Sequence, residues 1–135
     1  KNFKNKRERN EAVERLLEEF SLTDVRNTIA NSLSGGQKKK LVIARALINK
    51  PEILLMDEIF SAIDPITIDV IKNIIVELQT NRNLSILITD HAFNNVLEVA
   101  DKIFIISDGQ IISSGKPQDI IRDASARKVY FGNTY

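Results

Sequence analysis

The chain has 135 residues, of which 43% are hydrophobic, and this is enough apolar surface for one core. Its formal net charge of +1 gives no general field that would attract nucleic acid or a membrane. The absence of cysteine excludes a disulfide framework and fits a reducing compartment. Because the sequence has neither a run of eighteen apolar residues nor an apolar signal-peptide core, we expect a cytoplasmic protein.

The amino-terminal part predicts one amphipathic helix and a shorter turn. Apolar residues recur at helical spacing from about Arg7 to Phe20, after a basic lead that we expect to be solvated. The segment that follows, Ser21–Ser32, mixes polar residues with a few aliphatic ones and predicts only a short helix or turn. It leads directly into a glycine pair.

The glycine pair opens the next helix. Ser34 and Gln37 have the spacing of a capping box, and the helix should run to about Ile48, before Pro51. Gly35 and Gly36 each cost about 1 kcal/mol in a helix interior, and somewhat less near its end. Bare backbone at a helix N-terminus suits a phosphate, because the N–H groups and the helix dipole both favour an anion. Taken alone, the segment is best read as an ordinary cap, whereas the motifs after it favour the phosphate.

A short apolar run, Ile53–Met56, is followed by Asp57 and Glu58. Its length and its bounds predict a buried parallel strand. Open α/β sheets bind their ligands outside the carboxyl ends of such strands. We therefore expect Asp57 to hold a magnesium ion through water, since that ion keeps several waters and takes few carboxylates. Without this context, a solvated loop would be the better explanation of two adjacent acids.

A second parallel strand is predicted at Leu84–Thr89, after a helix that begins at the Asp64-Pro65 pair and runs to about Gln79. His91, the only histidine, follows this strand. A lone histidine is usually a surface or satisfied residue. Its place at the same carboxyl edge as the two acids argues for a functional role.

The remaining elements are predicted from local patterns. A glycine after Asp108 is a hairpin signal between two short β runs. The predicted elements are a helix at Ala92–Ala100, strands at Lys102–Ile106 and Gln110–Ser113, helices at Gln118–Arg122 and Ala124–Phe131, and a polar tail at Gly132–Tyr135.

In this order, the motifs resemble those of the ATP-binding cassette ATPases. The matching segments are the family signature at Leu33–Gln37, the Walker B strand at Ile53–Glu58, the D-loop at Ser61–Asp64 and the switch histidine at His91. The resemblance covers nearly the whole chain and corresponds to the second half of such a subunit. Within the family, the segments that look most like the ATPase of a lipopolysaccharide-export transporter are Asp64–Thr67, Ile86–His91 and Lys128–Gly132.

The resemblance implies an α/β fold, namely a partial P-loop NTPase (RecA-like) core at residues 51–135 and a helical signature subdomain at residues 1–50. It also implies ATP hydrolysis with Mg²⁺ in a head-to-tail dimer, where each ATP lies between the P-loop of one subunit and the signature of the other. The implied partners are a second nucleotide-binding subunit and transmembrane transporter subunits, without nucleic acid. The protein would then lie on the inner face of the cell membrane.

The same resemblance implies the roles of individual residues. Ser34, Gly35 and Gly36, within a signature that ends at Gln37, would contact the γ-phosphate bound by the partner subunit. In the chain's own site, Glu58 would polarise the attacking water as general base, Asp57 would act on magnesium and His91 would contact the γ-phosphate. Asp64 would report across the dimer interface. Catalysis of phosphoryl transfer is mostly positioning and charge stabilisation, which a site split between two chains can provide on closure.

The sequence departs from the family in several places. Ile59 stands where a proline is common, and the glutamine loop and the aromatic residue that stacks on adenine are missing. More seriously, no G-x-x-x-x-G-K-S/T segment occurs, so the P-loop strand is absent. We therefore expect a carboxy-terminal fragment that is inactive alone and exposes strand edges and apolar surface.

Three functions are compatible with this sequence. The favoured one is the ATPase subunit of an export transporter, with lipopolysaccharide as the possible cargo. A soluble cassette ATPase acting on nucleic acid or ribosomes is disfavoured, because the composition indicates no basic face. A non-catalytic half-cassette that supplies only a signature face is the third.

Overall fold

The computed structural model describes residues 3–131 of the chain, and these residues fall into two compact units that divide between Thr89 and Asp90. The predicted tail Gly132–Tyr135 lies outside the described residues. The subdomain boundary predicted after residue 50 falls inside the first unit and stays a prediction. In the described part of the chain, no helix combines the length and the apolar character that crossing a membrane requires.

The first unit contains the predicted helices and strands in the predicted order. They are α1 (Lys6–Glu19), α2 (Gly35–Leu47), β1 (Ile53–Asp57), α3 (Pro65–Arg82) and β2 (Ser85–Thr89), with short 3-10 turns at Thr23–Val25 and Ala30–Ser32. Helix α3 is longer than predicted, because it continues to Arg82 and ends only at Asn83. Asn83 adopts a left-handed conformation with φ of 50° and donates its backbone N–H to the Leu78 carbonyl.

Strands β1 and β2 pair in parallel, in a register that runs from Ile53 opposite Ser85 to Asp57 opposite Thr89. The prediction of parallel strands is confirmed. The prediction that they are buried is wrong for one face, where Leu55 and its partner Leu87 are 71% and 56% exposed. Leu54 and Met56 alternate with the exposed residues and are buried on the other face. The chain thus exposes apolar strand surface, as the sequence predicts.

The core of the first unit is made of apolar side chains from all of its helices and from β1. Ile71, in the middle of α3, has no exposed surface. Other buried members are Leu16, Phe20, Leu22, Leu33, Ile43, Leu47, Leu54, Met56, Ile59, Phe60, Ile75, Leu78 and Leu84. The buried set thus includes residues of α2, of α3 and of the loop that joins β1 to α3.

The second unit contains α4 (Phe93–Val99), β3 (Ile103–Ser107), β4 (Gln110–Gly115), α5 (Pro117–Ile120) and α6 (Ala124–Phe131). Strands β3 and β4 form the predicted antiparallel hairpin. Asp108 and Gly109, the two turn residues, have φ of 49° and 74°, as a tight hairpin turn requires. The core of this unit consists of Phe93, Ile103, Ile105, Ile120 and Ala126.

We predict that Ile71→Ala lowers the free energy of unfolding by about 2–5 kcal/mol, because it removes a fully buried side chain and leaves a cavity. Ile66→Ala is the matched control in the same helix, since Ile66 is 78% exposed, and it should change stability by less than about 0.5 kcal/mol. Urea denaturation of a polypeptide carrying this chain measures both. Equal effects would contradict the position of Ile71 in the core.

Candidate functional site

Helix α2 begins with the capping box that the sequence predicts. Ser34 Oγ accepts a hydrogen bond of 3.2 Å from the backbone N–H of Gln37, and Gln37 Oε1 accepts one of 3.0 Å from the backbone N–H of Ser34. Both residues serve to start the helix. The first N–H groups of a helix have no acceptor within it, so those of Gly35 and Gly36 point towards whatever lies beyond the helix end.

Close packing also favours glycine at both positions, most strongly at Gly36. A Cβ at Gly36 would lie 2.8 Å from Thr67 Cγ2 and 2.9 Å from Thr67 Oγ1. A Cβ at Gly35 would lie 3.3 Å from the carbonyl oxygen of Ala62. The start of α2 therefore packs directly on the loop before α3 and on the first turn of α3. Sequence reasoning considered only the approach of a phosphate and missed this contact.

Asp57 lies at the carboxyl end of β1, with its side chain exposed, as expected. Thr89, opposite it at the end of β2, donates a hydrogen bond from its hydroxyl to Asp57 Oδ1. Residues 3–131 contain no cluster of three or more His, Cys, Asp or Glu side chains that could enclose a metal ion. A single carboxylate at a strand end fits Mg²⁺, which takes few protein ligands and completes its shell with water and substrate phosphate.

Glu58 follows directly and has an unusual backbone. Its φ is 47°, a left-handed conformation that residues with a Cβ rarely adopt. Its N–H donates to the Thr89 carbonyl at 2.7 Å. Its carbonyl oxygen accepts from Ser61 Oγ at 2.8 Å, from the Ser61 N–H at 3.2 Å and from Lys39 Nζ at 2.6 Å. Hydrogen bonds thus fix the Glu58 backbone on both sides of the Cα that carries the exposed carboxylate side chain.

Sequence reasoning did not identify Lys39. Lys39 is four residues before the buried Ile43, which places it on the inner face of α2. This spacing indicates an inward-facing lysine but does not single out Lys39, since Lys40 lies four residues before the buried Ala44. The local sequence pattern cannot predict its partner, because the Glu58 carbonyl oxygen belongs to a residue 19 positions away.

Asp64 caps α3, as its position before Pro65 predicts. It accepts hydrogen bonds from the Thr67 hydroxyl at 2.6 Å and from the Thr67 N–H at 3.0 Å. These bonds, the hydroxyl first, lower the pKa of Asp64 below its ordinary value, because they favour the ionised carboxylate. A lowered pKa means that this stabilisation is complete above the ordinary Asp pKa and is lost as the pH falls through the lowered one.

His91 belongs to the second unit and is 74% exposed in its side chain. Its Nδ1 lies 4.0 Å from Oδ1 of Asp90, whose side chain is fully buried and accepts the Ala92 N–H at 2.9 Å. The structure thus brings Gly35, Gly36, Asp57, Glu58 and Asp64 into one unit. The functional role of His91 stays a prediction.

Comparison with known proteins shows what the chain is similar to. The family model described as ABC transporter matches residues 1–61. The lipopolysaccharide export system ATP-binding proteins LptB of Haemophilus influenzae and Acidithiobacillus ferridurans are 38% and 40% identical to the chain over 128 residues. A solved ATP-binding cassette of an ABC transporter in its ADP conformation matches 93% of the chain, with 30% identity and a TM-score of 0.83. Over nearly its whole length the chain is similar to ATP-binding cassette ATPases.

A nucleotide-free ATP-binding cassette gives the same result, with a TM-score of 0.84 over 94% of the chain at 29% identity. These matches confirm the predicted α/β fold, the partial P-loop NTPase core and the likeness to LptB. The chain spans about half the length of the relatives it matches, namely 53% of the two LptB proteins and 51% of the two cassettes.

The close packing of Gly36 on α3 predicts a stability effect of Gly36→Ala. The new Cβ would overlap Thr67, and such overpacking should lower the free energy of unfolding by about 1–3 kcal/mol without nucleotide. The double variant Gly36→Ala with Thr67→Ala removes the two nearest atoms, so its loss should be smaller than the sum of the single losses. Denaturant titration of Gly36→Ala, Thr67→Ala and the double variant measures the three losses of free energy of unfolding. Unchanged stability of Gly36→Ala would leave phosphate approach as the only reason for the glycine.

Proposed function

We propose that the full-length protein carrying this chain is the nucleotide-binding subunit of an export transporter and that it hydrolyses Mg²⁺-ATP. The observation that carries this proposal is the pair of exposed acids at the carboxyl end of β1, with Glu58 fixed by hydrogen bonds to its own backbone. Phosphoryl transfer needs a metal that neutralises charge and a group that orients the nucleophile. Asp57 would hold the metal, and Glu58 would orient the nucleophile.

Each acid has a distinct task in this proposal. Asp57 would hold Mg²⁺ through water, and the Thr89 hydroxyl, which donates to its Oδ1, orients the carboxylate. Bound Mg²⁺ would neutralise the charge of the β- and γ-phosphates. Glu58 orients the attacking water and takes its proton, so its carboxylate must stand at a fixed place next to the γ-phosphate. His91 would contact that phosphate and hold its geometry.

The signature acts on a different nucleotide in this proposal. The N–H groups of Gly35 and Gly36 and the hydroxyl of Ser34, in the signature that Gln37 completes, face the γ-phosphate held by a second subunit. Support comes from the glycines, which leave the N-terminus of α2 open to an anion, and from the helix dipole. Asp64 bonds to Thr67, and Thr67 packs against Gly36. In this proposal Asp64 responds to whether the interface between the two subunits is closed. Two subunits related head to tail then form two complete sites.

The proposed cargo is lipopolysaccharide. The support is the identity of 38–40% with proteins named as lipopolysaccharide export ATPases, over 95% of this chain. Transmembrane subunits would contact the cargo, and the ATPase would bind them at the inner face of the membrane. ATP turnover by the purified transporter should therefore rise on addition of lipopolysaccharide and not on addition of phospholipid alone. Equal turnover with both lipids would contradict this cargo.

We predict that Glu58→Gln in the full-length subunit nearly abolishes ATP hydrolysis and leaves ATP binding intact, because the amide cannot accept the proton of the attacking water. The loss should be at least about 100-fold in kcat. Glu52→Gln is the matched control, since Glu52 is an exposed glutamate just before β1 and its turnover should equal that of the unchanged subunit. Phosphate release and nucleotide binding are measured on the same preparations. Retained turnover in Glu58→Gln would remove Glu58 from the role of base.

A further inference from the structure

We propose that Lys39, on the signature helix, is the positioning residue for Glu58. The inference rests on the proposed role of Glu58 as general base. It goes beyond that role, since it names the group on another element that keeps the base in its working conformation. Lys39 Nζ donates to the Glu58 carbonyl oxygen at 2.6 Å and does not touch the reacting atoms in this proposal.

The backbone of Glu58 needs such support. A φ of 47° is unfavourable for a residue with a Cβ, so the loop would relax to a commoner conformation if its hydrogen bonds were lost. Such a relaxation turns the Cα–Cβ bond and moves the carboxylate with it. Small displacements of a catalytic group cost much rate, because the reaction needs the proton acceptor and the water in line with the phosphate.

The bond from Lys39 differs in kind from the other two on the same oxygen. Both Ser61 donors belong to the same turn as Glu58, three residues along, so they shape the turn without fixing it to the rest of the unit. Lys39 comes from α2, 19 residues earlier, and ties the turn to a helix held by the core. Its donor is an ammonium group, and hydrogen bonds from charged donors are about twice as strong as neutral ones.

The buried neighbours of the turn make this tie effective. Ile59 and Phe60, which follow Glu58, are 5% and 4% exposed, so the turn is anchored in the core on its far side. Lys39 itself is partly buried, whereas Lys38 beside it is exposed. Lys39 thus adds a contact from another helix to the hydrogen bonds that hold the Glu58 backbone.

The test is steady-state kinetics of the full-length subunit with Lys39→Met, which keeps the aliphatic stem and removes the ammonium. We expect kcat to fall at least about tenfold, because the base is displaced, while KM for ATP changes less than about twofold. Lys39→Arg should restore most of kcat, since it returns a charged donor. Lys38→Met is the matched control on the same helix and should keep the kcat of the unchanged subunit. Lys39→Gln serves as a second variant if Lys39→Met does not fold.

The outcomes separate this inference from the proposed function. If Glu58→Gln abolishes turnover and Lys39→Met retains full kcat, Glu58 keeps its role and the inference about Lys39 is overturned. Loss of kcat in Lys39→Met that Lys39→Arg does not rescue, together with a lower Tm, would also overturn it, since the lysine would then be merely structural. Retained turnover in Glu58→Gln would instead overturn the proposed function itself.

Discussion

The carbonyl oxygen of Glu58 is the point on which the loop after β1 depends. It accepts hydrogen bonds from both donors of Ser61 and from Lys39, and these hold the residue in a left-handed conformation. The strand before it fixes the other side, since the Glu58 N–H is bonded to the end of β2. The loop is therefore fixed at two points. Strand β2 bonds to the Glu58 N–H at its start, and Lys39 of α2 bonds to the Glu58 carbonyl.

The same helix that holds Glu58 also begins with the segment that resembles the cassette signature. Its first residues pack on Ala62 and Thr67 without room for side chains, and Thr67 in turn bonds to Asp64. The segments that resemble the signature and the D-loop thus pack against each other within the first unit, and the signature-like helix also bonds to the backbone of Glu58. In the proposed function, the signature serves the nucleotide of a partner subunit while Glu58 serves the chain's own, so this packing couples the two sites.

Local patterns predicted most of this arrangement. The capping box at Ser34, the Asp64-Pro65 cap and the apolar run of β1 each act over a few residues, and each is present. The contacts of Lys39 and Gly36 could not be predicted in this way, because they depend on residues 19 and 31 positions away. The apolar run of β1 by itself predicted burial on both faces, since such a run does not reveal whether both are covered; only the missing P-loop strand predicted exposed apolar surface.

The most direct test of the central claim is the structure of the full-length Glu58→Gln subunit with ATP and Mg²⁺. The account predicts a head-to-tail dimer in which each γ-phosphate lies between Ser34, Gly35 and Gly36 of one subunit and the side chains of Asp57 and residue 58 of the other. Lys39 Nζ should still be bonded to the carbonyl of residue 58. A γ-phosphate bound away from these acids, or a dimer in which the signature faces solvent, would contradict the account.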